Sequence, residues 1–138
     1  MGPQFEVIQF CSEGYAIEFL LTRSFRREAA DVFTAEERTG FMNYIAANPD
    51  AAPKIPGTSG IRKMRWKAKG FGKSGGARII YYFRDLNMPL LLLAVYPKNH
   101  VVRLSAARMK EIGRKVDAIV RDYALANANT NRKSGRRA

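Results

Sequence analysis

Residues 90–98, LLLLAVYPK, are apolar at odd and even positions alike. A strand with two apolar faces offers no side to water, which places it in the middle of a sheet. Two more strand-like stretches precede it. GIRKMRWKA, 60–68, alternates, with Met64 and Trp66 on the core side and Lys63, Arg65 and Lys67 on the other. ARIIYYFRD, 77–85, follows the glycine-rich loop GFGKSGG, 70–76, and leads through the turn LNMP into 90–98. Links of hairpin length make these three strands antiparallel.

Upstream, YAIEFLL at 15–21 predicts a first strand, and MGPQFEVIQFCSEG at 1–14 predicts a short extra strand or a loose extension. Phe25 to Phe33 predicts a short helix. Thr34 with Glu37 three residues on is a capping-box pattern, opening a helix to about Ala47. Phe41, Tyr44 and Ile45 share its apolar face, and Asn48-Pro49 ends it. Residues 50–60 form a loop. Ser105 caps a last helix, about 106–125, with the stripe Met109, Ile112, Val116, Ile119, Val120 and Tyr123. The tail 126–138 has no apolar residue larger than alanine and is predicted to be disordered. The order β-α-α-β-β-β-α predicts an α+β domain over 15–125, with a mainly antiparallel sheet and helices on one face.

Charge is concentrated where the strands are. The formal net charge is +12, and residues 51–110 hold thirteen lysines and arginines against one acid, Asp85. A cationic sheet nearly free of carboxylates suits a polyanion, and phosphate neutralisation supplies most non-specific nucleic-acid affinity. The lone Cys11 cannot form an internal disulfide, which points to a reducing cytosol. One Cys and one His make no zinc set. No run of 18 apolar residues is long enough to span a membrane, and the N-terminus lacks the order of a signal peptide. Neither metal nor cofactor is expected.

Gly72-Lys73-Ser74 suggests a phosphate loop, but the first glycine of that motif falls on Lys67, and the loop leads into a strand. A flexible hairpin tip is the simpler reading, with Lys69 and Lys73 placed to touch an RNA backbone. Glu36 and Glu37 sit in a helix's first turn, where the dipole explains them. No Ser/His/Asp set is visible, so any catalysis must use Lys, Arg and Tyr. RNA carries its own nucleophile, the 2′-OH, so its cleavage needs a base, cations for the phosphorane and an acid for the leaving oxygen. Lysines crowded by cations have lowered pKa values and can act as bases. Period 2 puts Lys63 with Arg65, Arg78 with Ile80 and Tyr82, and Tyr96 with Lys98. If these faces coincide, they form a basic groove with a stacking tyrosine. Arg62 and Lys67 read as solvated strand charges or as RNA contacts.

IPGTSGIRKMRWKAKGFGKSGGARIIYYF, 55–83, and LLLLAVYPKN, 90–99, resemble the RelE/HigB superfamily of bacterial toxins, and the HigB-type branch in particular. The resemblance implies a microbial-RNase-like fold and a metal-free, ribosome-dependent mRNA endonuclease in the cytoplasm. It also implies a cognate antitoxin of helix-turn-helix, HigA-like type. Matched by motif, it implies catalytic roles for Lys63 and Arg65 of R-K-x-R-W, Arg78 of G-G-A-R, and Tyr96 and Lys98 of Y-x-K-N. Lys63 is then the general base, Arg65 and Arg78 stabilise the phosphorane, and Tyr96 stacks on a base or orients the 2′-OH. Lys98 protonates the leaving oxygen or binds phosphate. Arg62, Lys67, Lys69, Lys73 and Tyr82 are left to contact RNA. The chain departs from the pattern at HVVRLS, 100–105, where the family often has acids, and at Pro97. His100, the only histidine, reads as a surface residue at a strand end. Two other readings share the charge: a ParE-like gyrase inhibitor, and a nucleic-acid-binding module without catalysis.

Overall fold

A computed structural model describes residues 5–12, 15–68, 76–98 and 105–135. Five strands form one sheet: β1 (Phe5–Ser12), β2 (Tyr15–Thr22), β3 (Arg62–Trp66), β4 (Ala77–Tyr82) and β5 (Leu90–Pro97). Three helices accompany them: α1 (Arg23–Val32), α2 (Ala35–Ala47) and α3 (Ala106–Gly135). The α+β class and the order of helices and strands are as the sequence predicts. The strands lie in the order β1-β2-β5-β4-β3, so the doubly apolar β5 is central. β3, β4 and β5 pair antiparallel, while β2 runs parallel to β5. The N-terminal segment resolves to its strand alternative. β1 pairs with β2 in unbroken register from Phe5↔Thr22 to Ser12↔Tyr15, so the sheet begins ahead of residue 15.

The helices do not share one face. Phe25, Ala29 and Val32 of α1 and Phe41, Met42 and Ile45 of α2 pack on Phe19, Leu21, Ile79, Leu90 and Leu92. Ile112, Val116 and Ile119 of α3 pack on Leu20, Ile80, Leu91, Leu93 and Ala94. Alternate residues of one strand point to opposite faces, so α3 covers the side opposite α1 and α2. Alternation in the edge strand β3 suggests one open face, but β5 is apolar on both faces and needs cover on both. Met109, Val120 and Tyr123 pack at the margin of the α3 cluster, completing the predicted stripe.

One irregularity governs the site. Ile80 pairs with Ala94 but Tyr81 pairs with Leu92, so Leu93 is an extra residue. Leu93 and Ala94 consequently both join the α3 side, and the parity of β5 reverses beyond them. The Thr22 hydroxyl donates to the Leu93 carbonyl at 3.1 Å. The same oxygen caps α1, accepting from the Phe25 N–H at 3.1 Å.

The other caps follow their sequence signals. Thr34 and Glu37 make the reciprocal bonds of a capping box at 3.1 and 2.9 Å. Ser105 Oγ accepts from the Arg108 N–H at 3.1 Å. α3 runs past its predicted end near 125 and continues to Gly135. Its ladder bonds are local, and extending an existing helix avoids the nucleation cost, so large apolar residues are not required. Asn127 donates to the Asn87 carbonyl at 3.1 Å, which ties the start of that extension to the β4–β5 turn. Among the described residues no helix is long and apolar enough to cross a membrane.

Tyr81 is fully buried, and its phenol oxygen accepts from the Ala52 N–H at 3.4 Å. Burial pushes its pKa above the usual 10, and the Ala52 bond offsets only part of this. The folded protein therefore holds this proton more tightly than the unfolded chain does. The corresponding stability is complete below about pH 10 and is lost as pH rises through the folded-state value. Tyr81→Phe should flatten the fall of melting temperature above pH 10, while the orphaned Ala52 N–H lowers the melting temperature at pH 7 by a few degrees. An unchanged alkaline limb would show that another group titrates there.

Candidate nucleic-acid interface

Backbone register brings the predicted residues together. Arg65 of β3 faces Arg78 of β4, and Arg78 faces Tyr96 of β5. These three stand in one row across adjacent strands, which are about 4.8 Å apart. Lys63 opens the next row, opposite Ile80, two residues and about 6.6 Å along the same edge. Tyr96 reaches this face only because of the bulge. Strict alternation from Leu90 and Leu92 would turn it to the α1/α2 side.

Exposure differs across the row. Lys63 and Arg65 are exposed on the edge strand, and Tyr96 is half-buried against the α3 cluster. Arg78 is only 8% exposed. Burial, and then the charge of Arg65, push the Arg78 pKa below the ordinary arginine value, and Tyr96 acts weakly the other way. The guanidinium stays protonated, so it is a buried cation beside a second cation. Its Nη1 donates to the Ala77 carbonyl at a long 3.4 Å. Among the described residues, no ion pair includes Lys63, Arg65 or Arg78. A partly desolvated cation of this kind suits an incoming anion.

Lys98 is exposed, and its backbone N–H donates to the Gly76 carbonyl at 3.1 Å, closing the end of β5 onto the base of the β3–β4 hairpin. Gly76 has φ +63°, and a Cβ there would lie 2.5 Å from the Trp66 carbonyl oxygen. Only glycine fits this corner. Lys67 is exposed just past the end of β3.

Two predicted RNA contacts lie elsewhere. Arg62 points to the α1/α2 side with Met64, and its Nη1 donates to the carbonyls of Asp50 at 3.1 Å and Ala52 at 2.6 Å. It pins the 50–55 loop to β3, where the Lys63 N–H also donates to the Pro53 carbonyl at 3.2 Å. Tyr82 shares the face of Arg78 but stands four residues away along β4, about 13 Å, packed towards α3. Lys69, Lys73 and His100 lie outside the described residues, as does the glycine loop before Gly76.

The sequence does not reveal the aromatic wall beside this row. Tyr44 shares a stripe with Phe41 and Ile45, so periodicity assigns it to the core, yet it is 42% exposed. Its ring centroid lies 5.5 Å from that of Trp66 at an interplanar angle of 42°. A cavity of about 480 Å³ is lined by both rings, by Ala51, Ala52, Pro53 and Met64, and by Lys63, Arg65 and Arg78. The only signal in the sequence is chemical: tyrosine and tryptophan bury a ring while keeping a polar tip in water.

Lys63, Arg65 and Arg78 can hold a phosphate and stabilise charge added to it. Tyr96 can orient a hydroxyl or stack on a ring. Among the described residues no group of His, Cys, Asp and Glu is placed to hold a metal ion. No family model matches the chain.

Proposed function

We propose that this chain is an endoribonuclease toxin that cuts translated mRNA in the bacterial cytoplasm and is held inactive by a cognate antitoxin. The observation that carries this reading is the row Arg65–Arg78–Tyr96, with Lys63 beside it, in a stretch, 51–110, that holds a single acid. The likeness of residues 55–99 to the RelE/HigB superfamily supports it independently of the geometry.

The reaction needs no metal. Lys63 takes the proton of the 2′-OH, and the resulting oxygen attacks the adjacent phosphorus. Arg65 and Arg78 stabilise the dianionic phosphorane, where preorganised cations act most strongly. Tyr96 orients the 2′-OH. Lys98 gives a proton to the departing 5′-oxygen, leaving a 2′,3′-cyclic phosphate on the upstream fragment. A helix-turn-helix antitoxin is the proposed protein partner, and the ribosome presents the substrate.

Expression of the chain alone in a bacterium should arrest growth within a generation. Primer extension on ribosome-bound message should then show new 5′ ends. Arrest with intact mRNA would refute the nuclease reading. If gyrase supercoiling were also lost, the ParE-like alternative would replace it.

A further inference from the structure

We infer that the cavity walled by Tyr44 and Trp66 is a base-binding subsite that takes one unstacked nucleobase of a single-stranded RNA. This rests on the ribonuclease reading and names where the strand is gripped beside the row that would cut it.

Shape and chemistry converge on this occupant. At about 480 Å³ the cavity lies in the range of about 300–1,000 Å³ that holds small organic ligands. Tyr44, Trp66 and Pro53 give it an aromatic and aliphatic lining on the α1/α2 side of the edge strand β3, and Lys63, Arg65 and Arg78 line it across that edge. A nucleotide has the same two parts: a flat ring, and a phosphate about one sugar away. The 42° between the rings keeps them from stacking flat on each other, and Tyr44 stays 42% exposed beside Trp66. The wall is also supported from behind. Buried Phe41 meets the Trp66 ring edge-on at 6.4 Å, and the capping box fixes the start of the helix that carries Tyr44. A prepositioned aromatic surface loses little entropy when a base stacks on it. An acidic peptide would satisfy the cations but leave the aromatic wall without a flat partner.

Trp66 is the only tryptophan in the chain, so its fluorescence reports on this cavity alone. The probes are a 2′-O-methyl RNA tetramer, which cannot be cleaved through a 2′-OH, an abasic oligomer with the same phosphates, and a short polyglutamate. The RNA tetramer should quench Trp66, and the other two should not. Tyr44→Ala should weaken tetramer binding about 5- to 150-fold. It should leave abasic-oligomer binding and the circular dichroism spectrum unchanged, because the Tyr44 ring is not core. Equal quenching by the abasic oligomer or by polyglutamate would overturn the inference, as would unchanged tetramer affinity in Tyr44→Ala. The two proposals separate cleanly. Base-dependent quenching in a protein that never cuts RNA refutes only the nuclease reading. Cutting without base-dependent quenching refutes only the subsite.

Discussion

Arg78→Met should slow RNA cleavage about 100- to 1,000-fold and leave the melting temperature unchanged or raised. The two effects have opposite signs because the same charge causes both. In the proposed reaction Arg78 meets the growing charge on phosphorus, and removing one such preorganised donor costs about 10²–10³ in rate. In the resting protein Arg78 as a whole residue is 8% exposed and stands next to Arg65 in the sheet. Burial and that neighbour both lower its pKa, so folding is opposed by the charge at every pH below the folded-state value. The penalty would lift only at extreme alkaline pH, so substitution is the practical test. Methionine replaces the aliphatic stem and removes the charged guanidinium, as when buried ions are exchanged for apolar residues. Cleavage of ribosome-bound message and a thermal melt of the same preparation give both readouts. A melting temperature lowered by more than a few degrees would mean that Arg78 is a structural residue. Full activity in Arg78→Met would remove it from the reaction. Arg78→Lys, which retains a cation but not the planar fork, should fall between the two.

Phe41→Ala should cost about 3–5 kcal/mol, the range for deleting a fully buried phenylalanine. Phe41 has no exposed surface and sits among three other rings, with Phe33 at 5.5 Å, Phe25 at 6.1 Å and Trp66 at 6.4 Å. Interlocked aromatic rings leave little freedom to collapse into the space created, so the cavity term should be near its upper range. For a domain of this size the loss corresponds to a fall in melting temperature on the order of 10–20 °C. Trp66 loses one of its supports at the same time, so its emission should shift to the red before the global transition. A loss of only about 1 kcal/mol would show that α2 moves in to fill the gap. Phe41→Leu, which keeps most of the volume, should show a much smaller fall.

The sequence determined the elements, because the rules behind them act over a few residues. Thr34 and Glu37 find each other within one helical turn, Ser105 caps three residues away, and two apolar faces place β5 in the centre. Alternation in β3 likewise sends Lys63 and Arg65 away from Met64 and Trp66. Tertiary structure decided which of these faces meet. Counting by twos along β5 puts Tyr96 opposite its actual side, because the extra residue at Leu93 arises from pairing with β4 and from the Thr22 hydroxyl, seventy-one positions earlier in the chain. The division of the helices between two faces, the binding of Arg62 to loop carbonyls and the exposure of Tyr44 beside Trp66 have the same origin. Each depends on which distant backbone arrives alongside, and a local pattern carries no record of that. Residues 63, 65 and 78 could therefore be named from the sequence alone, whereas the row they form with Tyr96 and the aromatic wall beside it exist only in the folded sheet.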